Sequence, residues 1–114
     1  KLKEYHTECG GQNCIWTAGV VMAKYLESCD IRDHLSPWIG SETGNILELG
    51  AGSGLVCMVL SLITQSLLNS AQFKDTYKIF ASEQKSCIKY LKHNIKINPN
   101  ISQNINVMTL DWRS

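Results

Sequence analysis

A short apolar run, Asn45 to Leu49, passes directly into Gly50-Ala51-Gly52-Ser53-Gly54, and from Leu55 the chain is apolar almost all round for two helical turns. Few folds accommodate that order. An apolar run of this length read with its flanking glycines is a buried strand, and the segment to Asn69 is a buried helix. The small residues between them form a turn whose backbone can come close to a ligand, and the helix N–H groups behind it can face that ligand.

The remaining segments repeat the pattern. Tyr77 to Ala81 is a second strand-like run, and Gln84 to Ile97 sets Ile88, Leu91 and Ile95 on one helical face. Asn98-Pro99-Asn100 stops that helix, and Ile105 to Leu110 reads as a third strand. Ahead of the first strand, Ile15, Ala18, Met22, Tyr25 and Cys29 recur at helical spacing, which predicts an amphipathic helix over 14–28. Asp30 to Gly44, with Pro37, Gly40 and Gly44, has the composition of a loop, tucked down by Trp38 and Ile39.

One helix followed by strand-helix-strand-helix-strand predicts an α/β, Rossmann-like, doubly wound parallel sheet in the order 3-2-1, joined by right-handed crossovers. Only the N-terminal half of such a sheet is expected, as one partial domain spanning 1–114. Its first strand then has an open outer edge that needs a partner. Lys1 in place of Met, and Asp111 to Ser114 following a strand without a closing element, read as two cut ends.

Several classes of function drop out. A net charge of +1 with 18% charged residues argues against a nucleic-acid binder held by electrostatics, and 44% hydrophobic residues argue against disorder. The apolar stretch Leu55 to Leu68 is broken by Ser61, Thr64, Gln65 and Ser66 and is too short to span a membrane. Cys9, Cys14, Cys29, Cys57 and Cys87 are odd in number and scattered, which points to a reducing compartment and away from a secreted disulfide framework. His6, Cys9 and Cys14 match no zinc spacing, and no metal is expected. Lys85, Lys89, Lys92 and Lys96 line the helix face opposite Ile88, Leu91 and Ile95, and read as a solvated face.

The glycine spacing selects among cofactors. A dinucleotide fingerprint needs a third glycine where Leu55 stands, and no Gly-Lys-Ser/Thr follows to make a phosphate loop. Glu83, just past the second strand, can accept hydrogen bonds from both hydroxyls of a ribose beside the glycines, or can simply start a helix. Asp111-Trp112 ends the third strand, where a ligand would lie, though such a pair can also cap and plug a core. A glycine turn of this kind can likewise serve tight packing alone.

Glu48 two positions before Gly50, followed by Gly52 and Gly54, resembles motif I of the class I S-adenosylmethionine-dependent methyltransferases. Cys14-Ile15-Trp16 and the helix after it are similar to the segment preceding motif I in the seven-β-strand protein lysine methyltransferases. The likeness runs from about Gly11 to Trp112. It implies S-adenosylmethionine as cofactor, with Trp16 at its methionine end, Glu48, Gly50, Ala51, Gly52 and Gly54 in its turn, Glu83 on the ribose, and Asp111 and Trp112 at the adenine. Glu83-Gln84 departs from the family's usual aspartate, but the longer carboxylate still reaches a ribose.

The resemblance further implies a protein substrate carrying a target lysine, in the cytoplasm or the nucleus. The family's substrate-side signature would lie past Ser114, so no catalytic residue is named. The competing readings are a degenerate, methyltransferase-like interaction module without catalysis, a methyltransferase for small molecules or nucleic acid, and a nicotinamide-dependent oxidoreductase.

Overall fold

A computed structural model of the chain describes residues 15–28, 44–67 and 77–113. The loop expected over Asp30 to Gly44 lies outside them except for Gly44, which opens the first strand instead, and the thiols Cys9, Cys14 and Cys29 and His6 also lie outside. The elements are α1 (Thr17–Ser28), β1 (Gly44–Glu48), α2 (Leu55–Leu67), β2 (Tyr77–Glu83), α3 (Ile88–Lys96) and β3 (Ile105–Thr109). The strands form one parallel sheet in the order β1-β2-β3, the 3-2-1 half-sheet read from the sequence.

Register places Ile46 beside Ile79 and Ile79 beside Ile105, with Glu48, Ala81 and Val107 forming the next row toward the C-terminal ends. Ile79, Ala81 and Ile105 join Cys57, Met58 and Leu60 of α2 and Leu91 of α3 in one buried core. Ile79 is wholly buried on the central strand. Ile79→Ala is expected to cost about 2–5 kcal/mol, because transfer energy is lost and a cavity remains. Urea unfolding would measure it against the exposed Val21→Ala, expected within about 0.5 kcal/mol of wild type.

Element ends differ from the sequence reading for identifiable reasons. β2 runs on to Glu83 because Ser82 and Glu83 pair with Met108 and Thr109. α3 begins at Ile88, not Gln84, since the Gln84 carbonyl accepts from both Cys87 N–H (3.0 Å) and Ile88 N–H (2.9 Å), closing a turn first. α1 begins at Thr17, with the Trp16 carbonyl accepting from Val20 N–H (3.2 Å).

The buried face of α1 is the larger correction. Ala18, Met22 and Tyr25, the predicted stripe, are exposed, whereas Ala23 is buried and Gly19 and Leu26 are partly buried where the helix meets α2. A Cβ on Gly19 would stand 3.9 Å from Val56 Cγ2. Small residues on this face let the helices approach closely, and that approach decides against the stripe of larger side chains. The lysines behave as expected: Lys85, Lys89, Lys92 and Lys96 are all exposed. Cys57 is a buried free thiol, whereas Cys87 is disulfide-bonded, a state that the reducing setting expected from the sequence does not favour.

Candidate functional site

The turn after β1 is held from two sides. Toward β2, the Ser82 hydroxyl donates to the Glu48 carbonyl (2.7 Å), Ala51 N–H donates to the Ser82 carbonyl (2.8 Å), and Gly52 N–H donates to Glu83 Oε2 (3.0 Å). Toward α3, Asn94 Nδ2 donates to the Ser53 carbonyl (2.9 Å). Gly50, Gly52 and Gly54 have φ of +66°, +56° and +88°, a region L side chains avoid at a cost of about 1–2 kcal/mol.

These glycines have different neighbours. A Cβ on Gly50 would lie 3.3 Å from Trp112 Cζ2, so the tryptophan ring rests on the turn. A Cβ on Gly54 would lie 2.9 Å from Leu91 Cδ1, so this glycine serves the packing of the turn against α3.

At the C-terminal ends of the strands the turn, β2, β3 and α1 enclose a cleft of about 410 Å³. That volume falls within the roughly 300–1,000 Å³ of small-molecule sites. Trp16, Glu48, Gly50, Ala51, Gly52, Glu83, Asp111 and Trp112 all line it, together with Ile15, Gly19, Ser53, Leu55, Val56, Gln84, Leu110 and Arg113. Gly54, expected in the site, is absent from its walls. Trp16 and Trp112 are 60% and 68% exposed, so both side chains present apolar surface at the cleft.

Two carboxylates meet in the wall. Glu83 is buried, with Oε2 accepting from Gly52 N–H and Oε1 from Gln84 N–H (2.7 Å). Glu48 Oε2 is buried and has no hydrogen-bond partner among the described residues. Burial pushes the Glu48 carboxyl up to about 7, with the neighbouring Glu83 charge adding to the rise and hydrogen bonding with Cys57 opposing it. Burial, then the nearby Glu48, pushes the Cys57 thiol up in turn.

A carboxyl raised in the folded state favours folding fully below its unfolded pKa, and that contribution is lost as pH rises toward the folded value. Between pH 4.5 and about 7, wild type is therefore expected to lose stability that Glu48→Gln retains. The two should unfold alike near pH 4.5 and differ by on the order of 2 kcal/mol at pH 8, read from urea midpoints.

At the β3 end, Arg113 clasps Asp111 through its backbone N–H (3.0 Å), Nε (3.0 Å) and Nη2 (2.8 Å), while Nη2 also reaches Gln84 Oε1 (3.4 Å). Those hydrogen bonds hold the half-buried Asp111 carboxyl down at about 2. Sequence reading missed Arg113, although an arginine two residues after the aspartate was signal enough. It also missed Gly19 of α1 and Val56 of α2, which line the cleft where those two helices meet. Among the described residues no cluster of His, Cys, Asp or Glu could hold a metal, and no helix is long and apolar enough to cross a membrane.

Comparison with known proteins agrees with this geometry. The chain is 29% identical over 91 residues to the protein-lysine N-methyltransferase EFM6 of Saccharomyces cerevisiae, a match covering 78% of this chain and 34% of that protein. The chain thus spans about a third of the length of the curated relative it matches. The family described as lysine methyltransferase matches residues 1–114. With a glycine turn, two carboxylates and two tryptophans gathered at the C-terminal ends of a parallel sheet, the chain belongs to the lysine methyltransferase family.

Proposed function

We propose that the cleft binds S-adenosylmethionine and that the chain supplies the cofactor-binding part of a protein-lysine N-methyltransferase domain. The observation that carries this reading is the convergence of the glycine turn, Glu83 and Asp111-Trp112 on one cleft at the strands' C-terminal ends, where open α/β sheets bind ligands. The group fits these residues. Gly50 and Gly52 keep two positions of the turn free of side chains, and the buried Glu48 Oε2, which has no hydrogen-bond partner among the described residues, is an acceptor on the wall of the cleft.

The roles follow from chemistry. Each Glu83 oxygen keeps a lone pair beyond its backbone hydrogen bond, enough to accept from ribose hydroxyls. Asp111 accepts from the adenine amino group, and the Trp112 ring packs beside the base. Trp16 covers the methionine end, near the turn formed by Gly50, Ala51 and Gly52. Gly54 acts from behind, by letting α3 close on the turn. When bound, the cofactor supplies a methyl group activated by a sulfonium. The protein's task is to orient it toward a neutral lysine amine of a protein substrate and exclude water. A cytoplasmic or nuclear setting is consistent with such a substrate.

Titration calorimetry with S-adenosylmethionine and with NAD separates the readings. Saturable, micromolar binding of the first and none of the second is expected. Binding of NAD alone would favour an oxidoreductase, and binding of neither would favour an interaction module without catalysis.

A further inference from the structure

The helical stripe Ile88, Leu91, Ile95 is interrupted by a polar residue that is more deeply buried than either isoleucine. Asn94 is wholly buried in α3, and its Nδ2 donates to the Ser53 carbonyl 41 positions away in the glycine turn (2.9 Å). The same peptide unit is held at its other end, since Gly54 N–H donates to the Ala51 carbonyl (2.9 Å). Gly54, at φ +88°, is flanked on the α3 side by Leu91 and Ile95. No residue of α3 lines the cleft, whereas Ser53 does.

We propose that Asn94 is a positioning residue for the cofactor: from outside the cleft it fixes the orientation of the Ser53–Gly54 peptide and so sets the shape of the ligand-facing turn. A glycine-rich backbone has access to other conformations at small cost. Rotation of this peptide turns the Ser53 carbonyl away from α3 and breaks the turn hydrogen bond to Ala51. A donor anchored in the core removes that freedom, so the turn is preorganised before a ligand arrives. An Asn on this face is otherwise a poor choice, because a buried amide needs its partners satisfied and contributes less packing than Leu. Separately, Asn98 Nδ2 donates to the main-chain carbonyl of Asn94 (2.8 Å), which ties the backbone at this point to the helix end.

This inference rests on the cofactor reading only for its effect on affinity, and the test separates the two. Asn94→Leu keeps the shape and removes the donor. Asn94→Ser serves if the leucine variant does not fold, since its short hydroxyl cannot reach the carbonyl. Ile105→Ala, a core truncation on β3, controls for lost stability. Without ligand, hydrogen exchange of the Gly54 amide is expected to speed up at least tenfold in the Asn94 variant relative to Ile105→Ala. With ligand, the S-adenosylmethionine Kd is expected to rise tenfold or more in the Asn94 variant and to stay within twofold in Ile105→Ala, at a temperature where both are folded.

Unchanged Gly54 exchange in the Asn94 variant overturns the proposal whatever the ligand does. Faster exchange with an unchanged Kd overturns the positioning role and leaves the cofactor reading intact. If wild type binds no S-adenosylmethionine, the cofactor reading fails and takes the positioning role with it, while the exchange result still reports on the peptide.

Discussion

Gly52→Asp is expected to lower the affinity for S-adenosylmethionine at least a hundredfold while leaving the protein folded. Gly52 sits at φ +56° with its N–H on Glu83 Oε2, so any side chain there is strained by about 1–2 kcal/mol, and this one enters a wall that already holds Glu48 and Glu83. A third carboxylate competes with Glu83 for the turn and occupies the space the glycine leaves. The loss corresponds to roughly 2.7 kcal/mol of binding energy or more. Calorimetry with near-UV circular dichroism as a folding control would measure it. A folded variant that binds like wild type would remove the glycine turn from the cofactor site.

The second large effect concerns Glu83, which joins two elements of the site. Truncation in Glu83→Ala leaves Gly52 N–H and Gln84 N–H without their acceptors at a nearly buried position, at about 1–3 kcal/mol for each group. Glu83→Gln keeps one acceptor oxygen but turns an amide NH2 toward the other N–H, so its loss should fall between wild type and alanine. Cofactor affinity should drop in the same order. The like charge facing Glu48 also disappears in both variants, so the Glu48 carboxyl is expected to titrate lower, which carbon-detected NMR of its side chain would follow. Equal stability of wild type and the alanine variant would mean that the carboxylate does not anchor the turn.

Glu83 also shows where sequence reading reached its limit. A carboxylate after the second strand was legible as a ribose acceptor or a helix starter, but its grip on Gly52, 31 residues earlier, was not. The two roles share one carboxylate, and only the pairing of β1 with β2 brings the groups together. Asn94 is similar: it stands beside Ile95 and three residues from Leu91 in the sequence, and nothing local marks it as the partner of the glycine turn. Gly54 matched a cofactor motif by spacing, yet its space is taken up by Leu91.

What the sequence by itself determined was the order of elements, the parallel half-sheet, the glycine turn and the set of polar and aromatic residues at the strand ends. These follow from periodicity, from glycine's freedom at positive φ and from where strands stop, all of which are local properties of the chain. Only the tertiary structure decided which face of α1 is buried, that Trp112 lies on Gly50, and that α3 holds the turn through Asn94. Each depends on how closely elements approach after the crossovers have placed them. Small residues and long-range hydrogen bonds settle those distances, and neither leaves a periodic trace in the sequence.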